Sequence, residues 1–266
     1  MKYRAPATTA NVGPGFDCAA IALDLWNELE VSEGGEPDPE HLAVRAYSVF
    51  ADPAGHAFTC TDRIPRERGL GSSAAVIALG LVAGAAAAGE RPSVDELLAA
   101  GLPLEGHSDN LAAALAGGVC ATARGHILRL ADAAPAEPVA VIPDSRVRTD
   151  AARASLPAAV SHEDAAYTAG HALLLGAALA TQSAELFAAS AWDRLHEPFR
   201  SATAPHFDAL RDDPPACTVS VTLSGSGPTV IVWASDRDAC AAELRERFPD
   251  DTILPLSTTP EGAGPA

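Results

Sequence analysis

An α+β chain of two lobes is predicted by three features of the sequence, with α/β as the other class that the pattern allows. Strand-like and helix-like runs interleave in both halves and do not separate into blocks. A polar, Pro-bearing stretch at 131–138 (ADAAPAEP) reads as a linker, and a boundary near residue 145 divides the chain into segments 1–145 and 146–266. The longest apolar run, AAVIALGLVAGAAAA at 74–88, is rich in Ala and Gly, as suits a helix packed tightly inside a core.

The elements follow in order. Residues 19–31 (AAIALDLWNELEV) are strand-like, above all in their second half, and the polar, Gly- and Pro-bearing stretch 33–40 closes them with a turn. Residues 41–50 read as a short amphipathic helix, and 57–63 (AFTCTDR) alternate as a strand. A Gly/Ser loop precedes the apolar helix, which is expected from about Ser73. Ser93 and Glu96 form a capping box at the start of another helix. A short apolar helix at 111–116 stops at Gly117–Gly118, and strands are expected at 119–123 and about 126–130. Residues 138–143 (PVAVIP) read as a buried strand, and 164–180 and 184–195 as two Ala/Leu-rich helices. Two β-rich runs, 217–223 and 229–234, are joined by SGSGP; a helix at 239–247 and a strand at 252–256 complete the pattern. The tail STTPEGAGPA is expected to be disordered, as is the end that holds Lys2.

Composition excludes several function classes. The 266 residues are 48% hydrophobic and 20% charged, ordinary for a soluble globular protein. With 18 basic and 35 acidic residues the net charge is -17, which repels nucleic-acid backbones and anionic lipid. Lys2 is the single lysine, so cationic work on a substrate falls to arginine. The five cysteines form no CxxC pair, which fits free thiols in a reducing cytoplasm and neither a zinc site nor a disulfide framework. The N-terminus has no apolar core of the kind a signal peptide needs, and run 74–88 is too short to span a bilayer.

The chemistry concentrates in residues 65–75, PRERGLGSSAA. Gly69 and Gly71 let the backbone take positive φ and approach a ligand closely. The amide groups opening the next helix, with its dipole, favour an anion there. Ser72 and Ser73 add hydroxyls for phosphate or metal. The same letters fit a dinucleotide fingerprint, G-x-G-x-x-A, but Pro65 and its charged neighbours make a poor strand end, and no acid follows in the expected strand. No Gly-Lys-Ser/Thr follows, which excludes a Walker A loop. A plain Gly-rich turn opening a helix is the bland alternative.

This loop resembles the P-x-x-x-G-L-G-S-S-A motif of the GHMP kinases. Three further segments, in family order, are similar to those of the homoserine kinases: APATTANVGPGFD at 5–17, LEGHSDNLAAALAGG at 104–118 and LSGSGPT at 223–229. The resemblance implies a two-lobed GHMP kinase fold, with an N-terminal lobe like ribosomal protein S5 domain 2 and a ferredoxin-like C-terminal lobe. It implies ATP-dependent phosphorylation of L-homoserine on the way to threonine, with Mg²⁺, and a homodimer. ATP is assigned to Pro65, Arg66, Glu67, Arg68, Gly69, Leu70, Gly71, Ser72, Ser73, Ala74 and Ala75. Ser73 and Glu105 match the metal positions. Arg153 and Arg200 match the arginines that take the substrate carboxylate, where a guanidinium gives a bidentate fork; without the motif either reads first as a surface ion pair. Asn11, Asp17, His107 and Asp109 match the other substrate contacts; Asp17 also reads as an Asx-type cap, and Asp109 and Asn110 as caps of the following helix. Gly225, in the SGSGP turn, admits a close backbone approach, and Asn110 and Thr149 match positions beside the reacting hydroxyl.

No Asp–Lys base pair is available, so positioning and charge stabilisation are expected to carry the transfer. Ser108 stands where the family pattern has Pro, which is expected to loosen that turn, and HLAVRA replaces the usual segment on the adenine side. The rivals are another GHMP small-molecule kinase, of the mevalonate or sugar type, and a non-catalytic GHMP-fold protein that binds a metabolite.

Overall fold

The computed structural model describes all 266 residues. The first sheet starts with β1 (Lys2–Asn11), paired antiparallel with the 19-residue β2 (Gly15–Glu33). β1 escapes the sequence pattern because it is nearly all buried, with small Ala and Thr residues in place of alternation. The register shifts between Pro6 and Ala7, where proline offers no N–H to the ladder. Next come α1 (Leu42–Tyr47) and β3 (His56–Thr61), which pairs with the far end of β2. The buried helix α2 (Ser72–Ala87) packs backbone to backbone on α1: a Cβ at Gly80 would lie 2.3 Å from Ala43 O, and one at Gly84 would lie 2.4 Å from Tyr47 O. α3 (Val94–Glu105) opens with the Ser93–Glu96 capping box and continues past Pro103, so Glu105 is its last residue. α4 (Ser108–Ala116), β4 (Val119–Ala123) and β5 (His126–Ala131) follow.

The second sheet starts with β6 (Glu137–Ile142). Helices α5 (Thr149–Ala154), α6 (His162–Thr181), α7 (Ala184–Ser190), α8 (Glu197–Arg200) and α9 (Phe207–Asp212) lead to β7 (Thr218–Leu223) and β8 (Val230–Ala234). α10 (Arg237–Arg247), β9 (Thr252–Pro255) and β10 (Gly264–Pro265) end the chain. The strand orders are β10-β1-β2-β4-β5, with β3 also on β2, and β7-β8-β6-β9. Every strand pair is antiparallel, so the class is α+β rather than α/β. One apolar cluster reaches from Ala5, Ile21 and Ile77 to Ile142, Ile231 and Trp233, so the two sheets share a core.

Three expectations are corrected. The tail is ordered: Asp24 N–H donates to Ser257 O at 2.8 Å, Gly118 N–H to Thr259 O at 2.7 Å and Ala263 N–H to Ala114 O at 2.8 Å. β10 then pairs with β1, so both ends of the chain enter the first sheet. These bonds join the tail to distant backbone groups, which no local pattern announces. Lys2 is likewise ordered, in β1 and 3.6 Å from Glu30. α7 stops at Ser190, short of the expected 195, because the Asp193 carboxylate takes the N–H groups of Leu195, His196 and Glu197 at 3.0, 2.7 and 2.9 Å and starts α8 instead. No helix is long and apolar enough to cross a membrane.

Candidate active site

The loop between β3 and α2 is clamped from both lobes. Gly69 (φ +80°) and Gly71 (φ +67°) take the left-handed conformation, and neither has room for a side chain. A Cβ at Gly69 would lie 2.2 Å from Ser224 O, and one at Gly71 would lie 1.9 Å from Thr8 Oγ1. Thr8 N–H donates to Leu70 O at 3.1 Å, and the Ser224 hydroxyl donates to Gly69 O at 2.7 Å. Gly71 is the N-cap of α2 and supplies no side-chain cap, so the first amides of a 16-residue buried helix open on the cleft between the lobes.

The same cleft holds a second constellation. Asn11 (φ +71°), Val12 (φ +48°) and Asp17 (φ +57°) hold strained backbone between β1 and the start of β2. Asn11 fixes the bend: its Oδ1 accepts from Asp17 N–H at 3.0 Å and its Nδ2 donates to Gly225 O at 2.8 Å. Arg200 Nη1 donates to the same carbonyl at 3.1 Å from a side chain that is almost fully buried. Arg153 reaches both carboxylate oxygens of Asp17 at 2.7 Å. Both guanidiniums lie by the Phe16 ring, 5.2 Å (Arg200) and 5.7 Å (Arg153) from its centre. Phe16 stacks in turn on His196, whose centroid is 5.0 Å away. Burial lowers the His196 pKa to about 4, so the neutral ring donates Nε2–H to Gly13 O at 2.8 Å.

Between the two constellations lie the acids. Ser73 Oγ donates to Glu105 Oε2 at 2.8 Å. Burial pushes the Glu105 carboxyl up to about 7, with Asp109 adding to the rise and the Ser73 bond opposing it. Burial also raises Asp109, against the pull of the Asn110 N–H that its Oδ1 accepts at 2.7 Å. Asp109 therefore caps a first-turn amide of α4, whereas the N-cap is His107, which makes no capping bond. Asn110 Oδ1 accepts the Thr8 hydroxyl at 2.7 Å. Ser108 does not leave its turn loose, because its hydroxyl shares a hydrogen bond of 2.8 Å with Thr122 Oγ1. A serine hydroxyl and a carboxylate at hydrogen-bond distance are hard oxygen donors of the kind a small divalent cation takes, so the pair fits Mg²⁺.

One cleft of about 360 Å³ gathers all but three of the residues that the sequence singles out. Arg66 is not among its walls; its guanidinium pairs with Asp62 on the surface. Ala74 and Ala75 are fully buried and pack the core beneath the loop. Asp17 is no Asx-type cap: its carboxylate is spent on Arg153. The sequence reading missed Thr8, Phe16 and His196, which orient the predicted residues, and Arg148 and Asp150, which line the cleft. The only sequence signal for Phe16 was its place between Gly15 and Asp17.

Comparisons with known proteins place the chain in a family. Residues 41–118 match the family model described as the GHMP kinases N terminal domain. The chain is 36% identical to a homoserine kinase of Moorella thermoacetica over 98% of both chains. It is also 36% identical to a homoserine kinase of Streptomyces avermitilis over 90% of this chain and 87% of the relative. A solved homoserine kinase of Cytophaga hutchinsonii superposes with a TM-score of 0.86 at 25% identity, covering 99% of this chain and 96% of that one. The Methanococcus jannaschii mevalonate kinase, at 14% identity and a TM-score of 0.72 over 97% of this chain and 98% of its own, shares the fold. On this identity and coverage, the chain belongs to the homoserine kinase family of the GHMP kinases.

Proposed function

We propose that the chain transfers the γ-phosphoryl group of ATP to the side-chain hydroxyl of L-homoserine, giving O-phospho-L-homoserine on the way to threonine. The observation that carries this reading is the single cleft with two faces: an uncapped helix start on one side, and Arg153, Arg200, Asp17 and Asn11 on the other. The first suits a polyphosphate and the second a zwitterionic amino acid. In the chain by itself Asp17 and Arg153 hold one another. A zwitterion entering there replaces one ion pair by two, its carboxylate on Arg153 and Arg200, its ammonium on Asp17 with Asn11, His107 and Asp109 nearby. Both guanidiniums lie within 5.7 Å of the Phe16 ring centre, which sets them beside one another at the same aromatic side chain.

The bound substrate then presents its hydroxyl toward Asn110 and Thr149. In the transfer the Pγ–O bond to ADP breaks and a bond from the hydroxyl oxygen to Pγ forms, with the hydroxyl proton passing to the phosphoryl group or a polar neighbour. The only lysine, Lys2, is at the far end of β1 from Asn11 and supplies no base. The loop amides and the α2 dipole hold the phosphates in line, and alignment supplies much of the rate. Ser73 and Glu105 would hold Mg²⁺, which neutralises charge on the phosphates. The test is ADP release with Mg-ATP over homoserine, mevalonate, shikimate and galactose. Turnover with homoserine is expected; turnover only with another acceptor, or with none, would overturn the reading.

The cytoplasm is the fitting compartment for five unpaired thiols. A homodimer through α6 is part of the same reading. Leu173 is 77% exposed and shares one side of α6 with the exposed, uncharged Ala166, Gly170 and Ala177. Sedimentation should find a dimer that Leu173→Glu splits; a monomeric wild type would refute it.

A further inference from the structure

We propose that Arg148 is the cationic contact of the terminal phosphate: its guanidinium leaves Asp150 and takes two oxygens of the γ-phosphoryl group. This rests on the kinase reading for its nucleotide and is independent of the acceptor. A triphosphate entering this cleft meets Glu67, Glu105 and Asp109 on the walls, so a full positive charge is needed beside the partial charges of the loop amides. No lysine is there to supply it, and four arginines line the cleft: Arg68, Arg148, Arg153 and Arg200. Three of them are committed. Arg153 grips Asp17, and Arg200 is buried against Gly225 O. The Arg68 side chain is only 13% exposed and donates to Pro143 O, with Asp144 at 3.4 Å.

Arg148 differs from all three. Its side chain is 72% exposed, and its sole partner, the Asp150 carboxylate at 2.7 Å, belongs to a side chain that is 67% exposed. Such a surface pair is worth little and can exchange for a phosphate. Its position is nevertheless fixed. Val147 N–H donates to Glu67 O at 3.1 Å, which ties this segment to the phosphate loop one residue earlier. Thr149, next in sequence, lines the same cleft. The planar fork matches two phosphoryl oxygens at once, and charge on those oxygens is what the transfer must stabilise. Arg148 makes and breaks no covalent bond and moves no proton; Asp150, once released, is left in solvent.

The experiment uses the full chain and titrates a non-hydrolysable triphosphate, AMP-PNP, and ADP, each with Mg²⁺ and without acceptor, by calorimetry. Arg148→Ala should weaken AMP-PNP about ten- to a hundredfold, the range for a charge-assisted contact, and shift ADP by less than about threefold. Arg148→Lys should recover part of the loss by restoring a point charge, and turnover of Arg148→Ala should fall with little change in the homoserine KM. Arg91→Ala, an exposed arginine outside the cleft, controls for net charge and should bind both nucleotides as wild type does. Equal weakening of both nucleotides, or none, would overturn the proposal. Selective loss in Arg148→Ala with turnover of some acceptor other than homoserine would support the proposal and sink only the acceptor assignment. A wild-type chain that binds neither nucleotide would sink the kinase reading and this proposal with it.

Discussion

Replacing Arg200 by alanine removes one of the two guanidiniums assigned to the amino-acid carboxylate. Charge-assisted hydrogen bonds contribute about 1.5–3 kcal/mol, and a site this buried belongs in the upper part of that range. A loss of about 2–3 kcal/mol corresponds to roughly a 30- to 150-fold rise in the homoserine KM. The backbone around the site should survive, because Gly225 O keeps the Asn11 Nδ2 donor at 2.8 Å when the arginine is gone. ATP contacts none of the deleted atoms in this account, so its KM should change by less than about twofold, where a full decade needs about 1.4 kcal/mol. The assay is steady-state ADP release with each substrate varied in turn. It is repeated with aminopropanol, which is homoserine without its carboxylate. The Arg200→Ala deficit should largely vanish with aminopropanol, since wild type and variant then both lack the ion pair. An equal deficit with both acceptors, or an unchanged homoserine KM, would refute the assignment.

Other outcomes follow from the same geometry. Ser73→Ala should lower turnover by about tenfold or more, the loss of a hydroxyl contact to charged groups, and raise the Mg²⁺ concentration needed for half-maximal rate; an unchanged metal titration would count against the Ser73–Glu105 pair. A cation requires the Glu105 carboxylate, whose pKa is raised to about 7, so Mg²⁺-dependent nucleotide binding should weaken as pH falls below 7 and should release a proton near neutrality. The same raised pKa means the folded chain binds more protons than the unfolded one between the ordinary carboxylate range and 7, so stability declines as pH rises through that window. Glu105→Gln should therefore match wild type in thermal unfolding at low pH and exceed it above pH 7; the reverse order would contradict the burial argument. Deleting residues 257–266 removes the bonds to Asp24, Gly118 and Ala114 and the β10 edge, and should lower the melting temperature by several degrees, since about 1 kcal/mol moves a domain of this size by about 2–4 °C. An unshifted melting curve would show that the tail is not held.

The parts of the fold that were legible are those whose signal is local. The Ser93–Glu96 box, the Ala/Gly helix after the phosphate loop and the apolar strand Val230–Ala234 each carry their periodicity or cap within a few residues. The unread parts depend on distant partners. β1 has no alternation because helices and neighbouring strands bury nearly all of it. The tail is polar and Pro/Gly-rich, yet its backbone finds donors and acceptors on β2 and around α4. The end of α3 was not read either: Pro103 falls in its last turn, and the helix carries on past it to deliver Glu105. The site was read mostly through motif resemblance, which named the residues assigned to nucleotide, metal and amino acid. It was silent on what orients them: Thr8 bonded to Asn110, Phe16 beside two arginines, and Asp193 taking the first amides of the short helix that carries Arg200. Arg148 was missed for a different reason. Its role depends on the other three arginines of the cleft being occupied, which only the assembled structure shows.

The most direct test of the whole account is a crystal structure of the chain with Mg²⁺, AMP-PNP and homoserine. The terminal phosphates should lie on the amides of residues 71–74, and the amino-acid carboxylate should bridge Arg153 and Arg200 with the hydroxyl turned toward the γ-phosphorus. A nucleotide seated away from the start of α2, or an amino acid bound with its carboxylate on neither arginine, would contradict it.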